Sequence, residues 1–437
     1  MRKIRIIFSI VIFFFIIQPT YSQDVKAYVE NGKNKIDFSD YNGAIKDFDK
    51  AIDVDPTNAL AFFLRAKCKH EIDDFNGALY DYTQALKYDR ENVQIKLQRI
   101  KTYFELEEYN KISLEYTLLL KSDSTNADFY FERGKAYLLK GLKTLAIKDF
   151  DYAKEYGYTG HELYEQRGYA QYLMYNYFKA YKDLKEVIEN TKIFYVEVYA
   201  ECLTKLIRDR KSGGQILYET GKLSEKFSNS SKLHLYSGIA TSTFSNITKK
   251  DGGEMKFAGL DAIKDFNKAI ELEANCDECY YQRANCLFLH KDELMIYKKN
   301  SAGTYATGRY KNNGILDTEK NTLTLYEISD IIREDLNKAI EINPDNWLAR
   351  ILRVELDGGI TGYKDADYLV KKFPKKSYYY YMRAIRLWPN IKESSSLGIS
   401  NPEKQIYEDC KKAIELGEDS GLKWMNKRIK KYEKKYM

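Results

Sequence analysis

The chain has 437 residues, with 70 lysines and arginines against 64 aspartates and glutamates, and a net charge of +6. Three of the bases, Arg2, Lys3 and Arg5, lie in the segment 1–22, which holds no acid, so removing them from +6 leaves +3. This near balance argues against a nucleic-acid footprint over the whole chain.

The first element in chain order is an apolar segment that follows this basic start. The apolar run at 6–17 is short of the roughly 20 residues that a membrane-spanning helix needs. Small and polar residues follow it at 20–22. We therefore predict a signal peptide over 1–22, cleaved after Ser22, and an exported, periplasmic or secreted protein with no stable membrane span after cleavage. An uncleaved anchor is the alternative.

The rest of the chain repeats one motif. The segment AIKDFDKAID at 44–53 returns in altered form at 78–87, 146–155, 180–189, 262–271, 332–341 and 406–415. Counted from Val25, units of equal length follow one another without a gap at 25–58, 59–92, 93–126, 127–160 and 161–194. Each residue therefore has a place from 1 to 34 in its unit. Small residues recur at places 8, 20 and 27, which lets two antiparallel helices approach closely.

This pattern resembles the tetratricopeptide repeat (TPR) family, whose 34-residue signature has small and aromatic residues at these places, together with a turn proline, here Pro56. The resemblance covers nearly all of residues 25–420. It implies an all-α fold, a TPR superhelical solenoid of about ten helix hairpins with a C-terminal capping helix. TPR arrays bind very different ligands, so the resemblance is specific for fold and not for function.

The later units are less regular than the first five. We predict five regular TPR units over 23–194, a degenerate helical unit over 195–230, TPR-like units over 231–420 and a basic capping helix over 421–437. Insertions fall near 246–255, 291–326 and 388–403, and the second is rich in Gly, Asn, Thr and Tyr. Insertions in repeat proteins map to loops, often on a binding face, although a loop that merely tolerates extra length is the simpler interpretation.

An acid at place 23 is followed, at the constant offset i, i+18, by a base at place 7 of the next unit. The structural inter-repeat pairs predicted from this offset are Asp47–Arg65, Asp81–Arg99, Asp149–Arg167 and Asp265–Arg283. Their regular repetition suits structure better than catalysis, because a carboxylate neutralised by guanidinium is a poor general acid. Asp183 breaks the rule, since Glu201 stands where the base is expected, and this predicts a weakened junction before the sixth unit.

Lysines recur at place 9 of the first four units, on the helix that lines the concave groove in TPR proteins. The ligand-groove candidates are Lys33, Lys67, Lys101 and Lys135 at place 9, Phe63, Leu97 and Phe131 at place 5, and Phe104 at place 12. Lysines beside exposed aromatic rings suit an extended acidic peptide. Four solvated lysines that keep the face soluble are the plain alternative. The carboxylate clamp of chaperone-binding TPRs is not expected, because Val29 and Lys33 stand where lysine and asparagine would be.

Cysteine and histidine offer one further candidate site. Cys276, Cys279, Cys286 and His290 form a C-x2-C-x6-C-x3-H pattern with four formal zinc ligands. On one straight helix Cys279 and Cys286 lie two turns apart, which is too far for one tetrahedral ion, and a small core residue is the better interpretation of Cys286. A Cys276–Cys279 disulfide is the other alternative in an oxidising compartment. We predict no metal and no cofactor.

No pattern in the sequence indicates catalysis. The four histidines are scattered, and neither a nucleophile elbow nor a phosphate-binding loop occurs. We predict a non-catalytic protein–protein interaction scaffold of the cell envelope that binds a protein or extended peptide in the concave TPR groove. An acidic peptide is one candidate ligand, and no nucleic acid is expected. The alternatives are a carbohydrate- or cell-wall-binding component that uses the Tyr-rich insertion, and an enzyme whose site lies in that insertion.

Overall fold

The computed structural model describes residues 23–207, 210–250, 258–296, 325–419 and 421–436. Within these ranges the secondary structure is helical, with 21 α-helices, one 3₁₀ segment and no strand. The predicted signal peptide at 1–22, most of the predicted insertion at 291–326 and part of that at 246–255 lie outside the described residues. Among the helices of these ranges, none has the length and apolar character needed to cross a membrane.

The chain divides into two compact units, one that ends at Thr191 and one that begins at Lys192. The first unit contains five helical hairpins. Their helices are α1 (23–37), α2 (Tyr41–Val54), α3 (Ala59–Glu71), α4 (Phe75–Tyr88), α5 (Val93–Glu105), α6 (Tyr109–Ser122), α7 (Ala127–Leu139), α8 (Lys143–Glu155), α9 (Glu162–Tyr172) and α10 (Tyr177–Lys185). The helices begin and end within a few residues of the same places in each repeated unit.

The second compact unit contains five further hairpins and a terminal helix. Its helices are α11 (Ile193–Lys205), α12 (Arg210–Lys226), α13 (Ser231–Lys250), α14 (Ala258–Leu272), α15 (Asp277–Ile296), α16 (Leu325–Ile342), α17 (Trp347–Leu356), α18 (Ile360–Lys372), α19 (Ser377–Leu387), α20 (Pro402–Glu415) and α21 (Leu422–Tyr436), with a 3₁₀ segment at Trp388–Leu397. The starts of two predicted insertions are therefore helical, since α13 and α15 run into them. Met425 of α21 is fully buried against α20.

The first helix of several hairpins begins at an asparagine cap. The side chain of Asn58 accepts a hydrogen bond of 2.9 Å from the Ala61 amide at the start of α3. This bond satisfies a backbone donor that the helix itself leaves unpaired. The helices α5, α7 and α17 are capped in the same way by Asn92, Asn126 and Asn346. The recurring asparagine therefore helps to fix where these four helices begin.

Glycine at place 8 of the fourth unit shows how closely the two helices of a hairpin pack. A Cβ atom built on Gly134 would lie 2.7 Å from the Phe150 ring and 3.3 Å from the Ala146 carbonyl oxygen. We expect Gly134→Ala to lower the free energy of unfolding by about 1–3 kcal/mol, as overpacking does. Thermal melting followed by circular dichroism checks this prediction.

Gly221 in α12 is the matched control for that substitution. No atom would lie within 4 Å of a Cβ added there. Gly221→Ala should therefore raise the free energy of unfolding, by about 0.4–1 kcal/mol, because alanine restricts the unfolded chain. Changes of the same sign at Gly134 and Gly221 would contradict the packing argument.

An arginine at place 7 joins three helices. Arg65 on α3 donates from Nε and Nη2 to both carboxylate oxygens of Asp81 on α4, at 2.8 and 2.7 Å, and from Nη1 to Asp49 on α2, at 2.7 Å. Bidentate bonds also join Arg133 to Asp149, Arg167 to Asp183, Arg283 to Asp335, Arg353 to Asp365 and Arg383 to Asp409, and a single bond joins Arg99 to Glu115. We call each such set an arginine bridge. It ties its own hairpin together and reaches back to the preceding one.

The predicted pairing at the offset i, i+18 is wrong. Each arginine instead bonds to the acid of its own hairpin, which replaces the predicted pairs Asp47–Arg65, Asp81–Arg99, Asp149–Arg167 and Asp265–Arg283. Two of the predicted acids have other partners, since Asp47 lies 2.7 Å from Lys35 and Asp265 lies 3.5 Å from His234. In the regular units the arginine comes first and its acid follows at i, i+16. The offsets of 16 and 18 residues add up to the 34-residue period of the repeat, so both spacings between acid and arginine recur with equal regularity in the sequence. The link between hairpins is formed by the residue at place 25, such as Asp49.

The sixth hairpin lacks the arginine of the bridge. Glu201 on α11 occupies its place, and the boundary between the two compact units falls between the fifth and the sixth hairpin. The series of arginines is therefore interrupted at the boundary, as it also is in the first hairpin, where Asn31 stands at place 7.

Candidate functional site

The lysine row consists of Lys33, Lys67, Lys101 and Lys135, which lie on α1, α3, α5 and α7. Places 5, 9, 12 and 13 share one side of these helices, because residues three and four apart are neighbours on a helix surface. The Nζ atom of Lys67 lies 5.9 Å from the centre of the Phe63 ring, and that of Lys135 lies 5.4 Å from the Phe131 ring. We call this side of the four helices the groove face.

The aromatic rings beside the lysines are buried. Phe63 is 7% exposed and Phe131 is 4% exposed. Phe131 stacks on Tyr158, a residue of the following turn, with the ring centres 4.3 Å apart. Leu97 and Phe104 are half-buried in the apolar cluster around α5. The prediction of exposed rings is therefore wrong for Phe63 and Phe131, and charge is the main property that the groove face offers to a ligand.

Two of the four lysines are neutralised on their own helix. Lys33 lies 3.5 Å from Glu30, and Lys135 Nζ lies 3.0 Å from both carboxylate oxygens of Glu132. Both acids are at place 6, where the second and third units have a leucine and a glutamine. The positive charge of the lysine row is therefore concentrated in the second and third units.

An acidic row runs beside the lysine row at place 13. It consists of Asp37, Glu71 and Glu105, which are all exposed and each follow a lysine of the row at i, i+4. In the fourth unit Leu139 takes this place. The first three units therefore carry opposite charges side by side, about 5–6 Å apart at their Cβ atoms. This row was not predicted, although its i, i+4 spacing from the lysines is visible in the sequence.

The packing within each hairpin identifies the fold class. Each repeated unit of the first compact unit forms two antiparallel helices, and small residues at places 8, 20 and 27, such as Ala66, Ala78 and Ala85, are fully buried between them. These hairpins have the fold of tetratricopeptide repeats. The all-α TPR solenoid predicted from the sequence is confirmed in the described residues.

Comparisons with known proteins give only distant matches. No family profile and no curated protein matches the chain. A tetratricopeptide repeat protein from Parabacteroides merdae is 18% identical and matches 61% of this chain and 99% of its own, with a TM-score of 0.39. A MamA fragment from Desulfovibrio magneticus is 11% identical over 38% and 94%, and PilF from Pseudomonas aeruginosa is 15% identical over 47% and 93%, both with TM-scores of 0.35. The fold assignment rests on the helices described above.

His70 lies at place 12 of the second TPR unit, beneath the charged rows. Its Nδ1 atom is 3.0 Å from Thr102 Oγ1 on α5, and that hydroxyl donates to the Gln98 carbonyl oxygen at 3.1 Å. This hydrogen bond between the His70 ring and the Thr102 hydroxyl joins α3 to α5. Burial and the neighbouring Lys101 lower the pKa of His70 below its ordinary value of 6.5, against the opposing effect of Glu71. The neutral imidazole links the second and third TPR units.

We expect the first compact unit to lose stability as the pH falls from about 7 to about 5, because the unfolded chain takes up a proton at His70 more readily than the folded chain. Because the pKa of His70 is lowered in the folded state, its contribution to stability is fully present above pH 6.5 and is lost as the pH falls below that value. His70→Gln should reduce the loss of unfolding free energy between about pH 7 and about pH 5. Urea denaturation of both proteins at the two pH values checks this, and an equal loss in both would contradict the role of His70.

The four formal zinc ligands do not form one site. Cys276 and Cys279 are joined by a disulfide. Cys286 and His290 are fully buried along α15, where the Cys286 thiol lies 3.7 Å from the Gly259 carbonyl oxygen. In the part of the chain that the structure describes, no three His, Cys, Asp or Glu side chains are grouped to hold a metal ion.

Cys276 stands where other TPR units have the capping asparagine. Its sulfur accepts from the Cys279 amide at 3.1 Å, the bond that Asn58 forms with the amide of Ala61. The disulfide adds a covalent link between the residue before α15 and the first turn of that helix. A disulfide of this kind suits an oxidising compartment.

Proposed function

We propose that the chain is a non-catalytic scaffold of the cell envelope that binds an extended segment of a partner protein along the groove face of TPR units one to four. The observation that carries this proposal is the acidic row beside the lysine row. Complementary charges fix the register of a bound segment and exclude wrong partners. A purely acidic ligand, the expectation from the lysines alone, would be repelled by the acidic row, so we propose a ligand that carries both charges.

The spacing of the repeats sets the charge spacing that such a ligand must match. The bond between His70 and Thr102 places α3 directly beside α5, and packed helices lie about 8–10 Å apart. A polyproline II segment rises about 9 Å for every three residues and returns its side chains to the same side. An acid at every third residue would meet Lys67 and Lys101 in turn. A base between these acids would meet the acidic row.

Two features support the envelope location. The predicted signal peptide at 1–22 implies export. The disulfide between Cys276 and Cys279 is of a kind that persists in oxidising compartments such as the periplasm or the extracellular space. We therefore propose that the scaffold works outside the cytoplasm.

Affinity capture from the native envelope tests the proposal. The chain from Gln23 onward serves as bait beside the K67E/K101E variant, and captured molecules are crosslinked and identified by mass spectrometry. Support requires a protein that the wild type captures, that K67E/K101E does not, and that is crosslinked to the groove face. Capture of the same proteins by both baits, or of cell-wall carbohydrate alone, would reject groove binding.

A further inference from the structure

The turns that join the two helices of each hairpin lie along one edge of the first compact unit, which we call the turn edge. All five turns have the same backbone geometry, with one residue of positive φ at place 15. These residues are Ser39, Asp73, Glu107, Gly141 and Tyr175. Because the turns are equivalent, the charges that they carry can be compared directly.

The first three turns form the acidic end of the turn edge. At places 13–19 the segments 37–43, 71–77 and 105–111 contain eight acids and one lysine, Lys111, which lies 3.2 Å from Glu108. Phe38 lies at the tip of the first turn and is 86% exposed. This end therefore presents an apolar ring within an acidic surface.

The last two turns form the basic end of the turn edge. At the same places the segments 139–145 and 173–179 contain three lysines and no acid, and Lys148 and Lys182 follow at place 22. Leu139, Tyr175 and Phe178 are 57%, 78% and 55% exposed. The two turns touch, because Lys143 Nζ donates to the Leu173 carbonyl oxygen at 3.0 Å. Together they make one apolar patch with a rim of lysines.

An exposed apolar patch of this kind marks an interaction surface. We propose that the turn edge is an interface between two copies of this chain, arranged antiparallel so that the acidic end of each copy faces the basic end of the other. The partner surface that a lysine-rimmed patch requires, acidic with an exposed ring, is the acidic end of the same edge. A two-fold symmetric contact satisfies both ends at once.

A second copy fits this edge better than an anionic membrane surface does. A bilayer of anionic lipid would attract the lysines and accept Tyr175 and Phe178. The eight acids that continue the same edge would be repelled by it. Only a partner with segregated charges of both signs uses the whole edge.

Reversing the charges at each end tests this interface in the chain from Gln23 onward. One variant makes both ends acidic, and a second removes most of the net charge of the acidic end without changing the acidic row of the groove face. The two variants are K140E/K179E/K182E and D73K/E107K/E108K. Sedimentation velocity is run at low ionic strength and up to about 100 micromolar protein, where weak dimers are populated. We expect a wild-type dimer, a dissociation constant raised about tenfold or more in each variant, and recovery of dimer in an equimolar mixture of the two.

The control carries the same number of reversals at the opposite edge of the hairpins, near the ends of α4, α6 and α8. It is K87E/K121E/K154E, and it should dimerise like the wild type. Circular dichroism confirms that each variant is folded. A monomeric wild type, variants that dimerise normally, or a mixture without recovery would overturn the proposal. Binding of a monomeric wild type to phosphatidylglycerol vesicles, lost in K140E/K179E/K182E, would assign the patch to a bilayer instead.

Discussion

Replacing Arg283 by methionine is expected to lower the free energy of unfolding of the second compact unit by about 3–5 kcal/mol. The side chains of Arg283 and Asp335 are 1% and 3% exposed, and two bonds of 2.9 and 2.7 Å join them. Without the guanidinium, the Asp335 carboxylate stays buried with no counter-charge. This bridge also closes the eighth hairpin across the segment 297–324, whereas the other bridges named above close shorter connections.

Tryptophan fluorescence isolates this effect. All three tryptophans, Trp347, Trp388 and Trp424, lie in the second compact unit, so their signal during urea denaturation reports on that unit alone.

The pH dependence of the stability loss gives a second signature. Burial raises the pKa of Asp335, and Arg283 opposes that rise. A carboxyl group whose pKa is raised in the folded state stabilises the folded protein at low pH, where the group is protonated. The loss of unfolding free energy caused by Arg283→Met should therefore shrink as the pH falls toward about 4.

Two further variants separate the buried charge from the loss of contacts. Arg283→Met/Asp335→Leu removes both charges and should recover most of the loss, because apolar groups can replace a buried pair. Lys268→Met removes the exposed pair that Lys268 forms with Glu271 at 3.2 Å, and it should change stability by no more than about 1 kcal/mol. A double variant as unstable as Arg283→Met would contradict the account of the buried charge.

Reversing the two central lysines of the groove face is expected to lower the affinity for the partner segment about a hundredfold. Lys67 and Lys101 belong to units without an acid at place 6, so K67E/K101E turns two attractive contacts into repulsive ones. Isothermal titration with the captured partner or its binding segment measures the loss. Circular dichroism shows whether the fold is intact.

The outer lysines of the same row provide a matched control. Lys33 and Lys135 are already paired with Glu30 and Glu132, so K33E/K135E should weaken binding far less than K67E/K101E. E71K/E105K, which reverses the acidic row, should also weaken binding if the ligand carries both charges. Equal losses in K33E/K135E and K67E/K101E would mean that only net charge matters. An unchanged affinity in E71K/E105K would leave the acidic row without a role.

The fold could be predicted from the sequence because small residues recur at fixed places in most of the regular hairpins. Ala66, Ala78 and Ala85 show the pattern, since they are fully buried where the two helices of their hairpins approach closely. The partners of the arginines could not be predicted in the same way. In a strictly periodic sequence the offsets i, i+16 and i, i+18 are equally regular, and the choice between Asp81 and Asp47 for Arg65 depends on which side chains meet inside one hairpin.

The candidate site could be predicted only in part. Helical spacing places Phe63 and Phe131 on the same side as the lysine row, but it does not say what covers them. Phe131 is covered by Tyr158, a residue of the turn that leads to the next hairpin, and turn conformation does not follow from helical periodicity. The acidic row is different, since its i, i+4 spacing from the lysines lies within one helix and follows from the sequence alone.

Selection of peptides from a random display library on the chain from Gln23 onward tests most directly whether two opposite rows on the groove face bind one extended segment. The account predicts enriched peptides with Asp or Glu at every third position and Lys or Arg between them, which lose their affinity for K67E/K101E. Enrichment of apolar peptides without that charge spacing, or of peptides that bind K67E/K101E as tightly as the wild type, would contradict it.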